Sequence, residues 1–134
     1  MSAVVIEKAV VMDRFFTLRG QSAISDTPDF KIDKLVWGNG YVSNGVISAI
    51  PTNVSNIQGE FHRSDAILTY SNGTYTIRGI IAKGELADNV NAEFNTLYVL
   101  DAHDNILALL VVMPVTMNKT RGLTIEGVIN EGHS

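Results

Sequence analysis

No cysteine occurs anywhere in this sequence. Disulfides are therefore excluded, and so are thiolate nucleophiles and thiolate metal sites. The absence does not fix a compartment, because cysteine-free chains occur in all of them. Long apolar runs are lacking too: none approaches the roughly 20 residues that a bilayer-spanning helix needs. The first residues, MSAVVIEKAV, place Glu7 and Lys8 directly after a short apolar start. With neither a basic leading region nor a long apolar one, they do not read as a signal peptide. The expectation is a chain made and kept in a cytoplasm until it joins something larger. Positive charge is sparse. Ten Lys and Arg stand against fourteen Asp and Glu, a net charge of −4, and the cations are scattered. That is not the footprint of a nucleic-acid binder. There is no G-x-x-x-x-G-K-[ST] phosphate loop, no H-E-x-x-H helix and no G-x-S-x-G elbow. Internal repeats and low-complexity blocks are also missing.

What is present is material for a core. Hydrophobic residues make up 46% of the 134, enough for one ordered domain of this size. Residues 1–11 are left as an arm without an assigned element, although their β-branched content favours extended structure. Thr17 is placed to cap a short helix from Leu18 to about Ser25, with Gly20 weakening it by about 1 kcal/mol. Asp26-Thr27-Pro28-Asp29 is a break. Phe30, Ile32, Leu35 and Trp37 then predict a half-buried strand, turned at Gly38-Asn39-Gly40. A polar connection covers roughly Ser43 to Asn53. Connections of that length are uncommon unless they are functional or packed on a partner.

From Val54 onward the pattern is β. Ile57–His62 and Ala66–Tyr70 are strands, and Ser71-Asn72-Gly73 is a hairpin turn of the Asn-Gly type. Thr74–Ala82 answers it, with Tyr75, Ile77 and Gly79 on one face. Gly84–Asn91 is a second loop, Asn118–Gly122 a polar turn and Leu123–Val128 a last strand. Residues 130–134 are a frayed tail. The predicted class is α+β: mostly antiparallel sheet with a short N-terminal helix, one domain whose body is residues 12–129.

The segment Asn95–Pro114 poses the functional question. Two apolar runs flank Asp101-Ala102-His103-Asp104-Asn105. Carboxylates and an imidazole gathered at one point suggest a divalent-cation site. The simpler reading is a polar hairpin turn in which Asp and Asn bond their own backbone. No other carboxylate–His cluster is visible to complete a metal shell, so the turn is preferred. His62-Arg63-Ser64-Asp65 brings a base, a hydroxyl and a carboxylate together, but adjacency in sequence is not triad geometry. A strand end is preferred there as well. No catalytic residue, metal or cofactor is assigned. A small hydrolase using His62 or His103 remains an alternative.

The strand that follows, Ile106–Met113, is eight apolar residues without alternation. An antiparallel strand with one wet face alternates, so both faces of this one are covered. The second cover is the N-terminal helix, a second sheet or another subunit, and Pro114 ends the strand. Trp37 and Tyr41 bracket the glycine turn. Trp37 fits a core role, while Tyr41 is the better interface anchor.

Three pieces resemble the N-terminal attachment domain of contractile-phage tail fibres, the tail-collar fibre family. They are Phe16–Ile24, Phe30–Gly40 and Leu97–Ala108. The family has, in this order, a short helix, a strand ending in a Gly-Asp/Asn-Gly turn, and a Gly-Leu-[Phe/Tyr]-Asp-x-x-Gly-x-Leu-[Ile/Leu]-Ala hairpin. The resemblance covers roughly residues 16–115. Asn105 stands where the family usually has glycine, and Asn accepts the left-handed conformation almost as well. Residues 40–80 match poorly, and the shaft and tip of such fibres have no counterpart here.

The resemblance implies a structural virion protein of a tailed phage, a connector, collar or attachment piece. It implies self-association, as a trimer or hexamer, and docking onto tail, neck or baseplate proteins. It also implies a place in the virion after assembly in the host bacterial cytoplasm, while the scattered charge and short apolar runs leave nucleic acid and a membrane span out of the expected partners. The expected contact residues are Trp37, Tyr41, Val46 and Ile50, then Leu86 and Val90, then Leu107, Leu109 and Val111. A receptor- or carbohydrate-binding β module is an alternative, disfavoured by a single Trp that sits in a strand. A capsid-decoration protein is another.

Overall fold

The computed structural model describes residues 2–4, 6–24 and 31–130. The break at Asp26–Asp29, the start of the predicted strand at Phe30 and the tail beyond Asn130 lie outside the described residues. Among the described residues, eleven strands and one helix form two sheets and a small hairpin. The first sheet has the order β1-β11-β8-β7: Ser2–Val4, Leu123–Asn130, Thr74–Ile81 and Ile67–Ser71. The second has the order β2-β10-β9-β3-β6: Lys8–Val11, Ile106–Asn118, Asn91–Asp101, Ile32–Asn39 and Gln58–Asp65. All pairings are antiparallel except β1 with β11. The α+β class with a dominant antiparallel component is what the sequence predicts.

The two sheets stack face to face. Leu35, Trp37, Leu97, Val99, Leu110 and Val112 on one meet Ile77, Ile81, Leu123, Ile125 and Ile129 on the other. Both sides of the sandwich are bridged by chain that passes from one sheet to the other. β1 and β2 do this on one side, and β6 and β7, separated by Ala66 alone, on the other. Two glycines let the sheets approach. A Cβ on Gly79 would lie 2.6 Å from Leu35 Cδ1 and 2.9 Å from Trp37 Cζ2. One on Gly127 would lie 2.6 Å from Leu110 Cδ1.

From Ile106 to Val112 the strand is covered on both faces within one chain, and Met113 at the end of the apolar run is 41% exposed. Ala108, Leu110 and Val112 face the first sheet. Ile106 and Leu109 face away from it, in a second core with Met12, Val36, Val54, Tyr98 and Leu100. Tyr41, Ile50 and Ile57 pack onto that second core. The cover is therefore a second sheet on one side and the connection after β3 on the other. That connection is not featureless. β4 (Val42–Ser43) and β5 (Val46–Ile47) make a small hairpin around Asn44 and Gly45, which have φ of 52° and 74°.

Several boundaries move. The helix, α1, runs Asp13–Ile24 and starts a full turn before the predicted cap. Thr17 is inside it, with Oγ1 3.4 Å from the Asp13 carbonyl oxygen. Asp13 stands in the first turn, where a carboxylate suits the helix dipole. Thr52 Oγ1 donates to Asp13 Oδ2 at 2.9 Å and ties the helix start to the connection. The arm is β1 and β2, short edge strands of different sheets. Gly38 and Asn39 remain in β3, leaving Gly40 (φ 124°) to turn the chain. Pro114 does not end β10. The strand continues to Asn118, and the register shift between Val111 and Val115 marks a bulge where proline's missing N–H is tolerated.

Tyr98 ties three elements together. Its hydroxyl donates to the Asn39 carbonyl oxygen at 2.6 Å and accepts from the Gln58 amide at 3.3 Å. Burial pushes the phenol up to about 12, against the bond from Gln58. An unfolded-chain tyrosine ionises near pH 10. Between about pH 10 and 12 the unfolded chain releases a proton that the native chain retains, so this contribution is intact below pH 10 and lost as pH rises toward 12. Tyr98→Phe is expected to cost about 1–3 kcal/mol at neutral pH, because the Gln58 amide and the Asn39 carbonyl, both in part-buried bonds, lose their partner. The gap between wild type and variant should then narrow by up to about 2–3 kcal/mol across that alkaline window. Urea unfolding at a series of pH values measures it. A gap that stays constant would show that the phenol is not shifted.

Candidate functional site

The acids and histidine of the β9–β10 turn separate once folded. Asp101 is buried. Its Oδ1 accepts from the backbone amides of His103 (2.9 Å) and Asn105 (2.8 Å), and its Oδ2 accepts from Asn105 Nδ2 at 2.9 Å. The Asp101 amide donates to the Asn105 carbonyl oxygen at 3.1 Å, which closes the hairpin. The carboxylate therefore serves as the turn's own acceptor. The left-handed residue is Asp104, φ 65°, one position before the Asn105 that the resemblance pointed to. His103 and Asp104 are exposed.

Asp101→Ala is expected to destabilise the protein by about 2–4 kcal/mol, since two backbone amides lose a charged acceptor. His103→Ala should stay within about 0.5 kcal/mol. Chemical denaturation of both variants checks this. The reverse order would return the turn to the status of a His-centred site.

His62, Arg63, Ser64 and Asp65 lie along β6, where alternation puts His62 and Ser64 on one face and Arg63 and Asp65 on the other. Ser64 Oγ accepts from Trp37 Nε1 at 2.9 Å. His62 Nε2 lies 2.8 Å from Glu85 Oε2 in the loop after β8, without hydrogen-bond alignment and with no hydrogen-bond partner among the described residues. Glu85 Oε1 in turn accepts from the Ala82 amide at 2.9 Å. Base and hydroxyl therefore stand beside different neighbours, Glu85 and Trp37, and no triad forms among the described residues.

Arg63 links the two candidate segments, a juxtaposition the sequence did not reveal. It donates to Glu60 Oε2 at 2.6 Å, and its Nη1 lies 3.4 Å from Asp104 Oδ1. The Glu60 bond raises the guanidinium above its ordinary value. Beside it Lys34 Nζ donates to Asp65 Oδ1 at 2.5 Å. That bond raises the ammonium and lowers the carboxyl, and both groups are exposed. Asp33, Lys34, Arg63, Asp65 and Asp104 line an open cleft of about 300 Å³. Its charges of both signs are paired with each other on the surface, which makes it a solvated salt-bridge face. Among the described residues, no group of three or more His, Asp or Glu is placed to hold a metal ion.

The nine expected contact residues divide by depth. Trp37, Leu107, Leu109 and Val111 are fully buried, and Leu86 is 4% exposed, so these five belong to the interior of the single chain. Trp37 packs against Phe94 at 5.0 Å between ring centroids. Tyr41, Ile50 and Val90 are half-buried against the cores, and Val46, 66% exposed at the tip of the small hairpin, reaches the surface. The exposed apolar side chains that sequence reasoning missed include Phe16 and Val128, and three of them, Ile67, Leu68 and Tyr70, are together on β7. Its hairpin turn was legible, but an edge position is a property of sheet order.

A two-sheet sandwich whose candidate polar residues hold turns, strands and loops together, with apolar residues on an open edge, defines a β module built for structure and contact. The chain belongs to the bacteriophage P1 tail fiber protein R family, whose model matches residues 2–134. Among curated proteins it is similar to tail fiber protein R of Escherichia phage P1, 26% identical over 131 residues that cover 92% of this chain and 91% of that protein. No solved structure matches. The resemblance to phage tail fibres is thus borne out at the level of the family, which marks a structural component of a phage tail. No described helix is long and apolar enough to cross a membrane.

Proposed function

We propose that this protein is an oligomeric attachment or connector piece of a contractile phage tail, seated where fibres join baseplate or neck proteins. It works by burying surface against its neighbours and carries no catalysis. The family match along nearly the whole chain is the observation that carries this reading. The structure adds support, because large apolar side chains lie exposed at Phe16, Val46, Ile67, Leu68, Tyr70 and Val128. Three of them, Ile67, Leu68 and Tyr70, share the open edge strand β7, and an exposed apolar edge strand favours pairing with another chain. The partners are further copies of the chain, as a trimer or hexamer, and other tail proteins. The Val42–Asn53 and Gly84–Asn91 loops, with Val46 as the outermost anchor, are the docking surfaces for those proteins. Assembly takes place in the host bacterial cytoplasm.

Cross-linking mass spectrometry on purified particles of the phage that encodes the chain tests the reading. Cross-links from these loops to fibre, baseplate or neck proteins are expected. Absence of the chain from particles that carry complete tails would overturn it.

A further inference from the structure

The four sheet edges are not equally protected. An open edge offers unpaired backbone groups to any other strand, and proteins blunt such edges with charge, proline, bulges or brevity. β1 is three residues long. β2 carries Lys8 directly after Glu7. β6 carries Glu60, Arg63 and Asp65 and is bulged opposite Trp37–Asn39, with Gly59 at φ 64°. β7, Ile67-Leu68-Thr69-Tyr70-Ser71, has none of these devices. It holds no charge and no proline, pairs with β8 in unbroken register, and is exposed at every residue.

The hairpin turn determines which backbone groups face out. Asn72 and Gly73 have φ of 50° and 80°, a type I′ turn, so the flanking Ser71–Thr74 pair is hydrogen-bonded. Pairs alternate from there. Ile67, Thr69 and Ser71 direct their N–H and C=O toward β8, and Leu68 and Tyr70 direct theirs to the open edge. The same two residues stand opposite Ile77 and Tyr75, on the interior side of the sheet. They are nonetheless 39% and 56% exposed. Tyr70 is half of a tilted ring pair with Tyr75, centroids 4.9 Å apart.

We propose that β7 pairs antiparallel with β7 of a second copy of this chain, about a two-fold axis at Thr69. The occupant follows from complementarity. An uncharged edge accepts an uncharged edge, and with Thr69 opposite its own mate, Leu68 of each copy faces Tyr70 of the other. Those are the residues whose backbone groups point outward, so each Leu68–Tyr70 pair exchanges both backbone hydrogen bonds. The side chains meet on one face as aliphatic–aromatic cross-strand pairs. Asp65 comes opposite Gly73 of the other copy, so no like charges meet. The two four-stranded sheets join into one. A shift of register by one residue would send Leu68 and Tyr70 to opposite faces.

This rests on the self-association part of the function proposed above and sharpens it. An isologous contact gives even copy numbers, a dimer or an assembly of dimers such as a hexamer, and not a trimer.

Light scattering across a concentration series tests it on the wild type, on Leu68→Pro, and on a Leu68→Lys/Tyr70→Lys double variant. Leu68→Pro removes an outward amide that β8 does not use. The lysines leave the backbone intact and so cover the case in which the proline variant misfolds. An even-numbered wild type whose mass halves in the double variant is the expected result. Hydrogen exchange should show Leu68 and Tyr70 amides protected in the wild type and fast in that variant. An odd copy number, or a mass that the lysines leave unchanged, overturns edge pairing while self-association stands. A wild type that is monomeric throughout overturns both.

Discussion

Trp37→Ala is expected to lower stability by about 3–5 kcal/mol, a large share of what a domain of this size has to lose. Trp37 is fully buried and is the largest such side chain. It lies between the sheets, against Phe94 on one side and under Gly79 on the other, where only a missing Cβ makes room for the ring. Its Nε1 also satisfies Ser64 on the neighbouring strand. Removing the ring leaves a cavity that two sheets bridged on both sides cannot close by collapsing. Trp37→Phe, which keeps most of the apolar volume and loses the Ser64 bond, should cost less than half as much. Urea unfolding followed by circular dichroism gives both values, because this is the only tryptophan and the variants lack its fluorescence. A loss below about 1 kcal/mol for the alanine variant would contradict the placement of Trp37 in the core.

The second large effect concerns the strand after the acidic turn. Leu109→Ala should cost about 2–5 kcal/mol and lower the thermal midpoint by the same amount at every protein concentration. Leu109 is fully buried in the second core, under Val54 and Ile50 of the connection after β3. If another subunit covered it, the loss would appear as weakened association and would depend on concentration. The connection should also loosen, so a protease that spares the wild type should cut the variant between residues 43 and 53. A stable variant whose only defect was a lower oligomer mass would place Leu109 at an interface.

Much of this fold is visible in local chemistry. Asn72-Gly73 specifies a type I′ hairpin because both residues tolerate positive φ, and the structure has both there. The same signal, Asn44-Gly45, lay unread inside the polar connection, where the strands on either side are two residues each. Short partners give no hydrophobic period to notice. The helix starts before Thr17 because Asp13 suits its first turn and is tied there by a bond from Thr52, thirty-nine residues away. Pro114 looked like a stop because a proline removes a ladder donor, and only the pairing shows a bulge that excuses it. The candidate residues were easier to read. Asp101 between two apolar runs is a turn carboxylate whether or not His103 stands beside it. Its tie to Arg63 through Asp104 was not readable, because sheet order alone brings β6 beside that turn.

The sequence by itself determined the class of structure and the role of its polar clusters. Alternation and turn residues dictate strands, and short polar side chains bond the nearest backbone, so both follow from neighbours in the chain. It also required that the apolar run from Ile106 be covered on both faces, because an unalternating strand leaves no side for water, and this holds as far as Val112. Tertiary structure decided what the cover is, a second sheet and a returning connection, and thereby which apolar residues remain for contact. Leu107, Leu109 and Ile67 are equally hydrophobic as letters. Burial separates them because two belong to a strand in the middle of one sheet and the third to the open edge of the other.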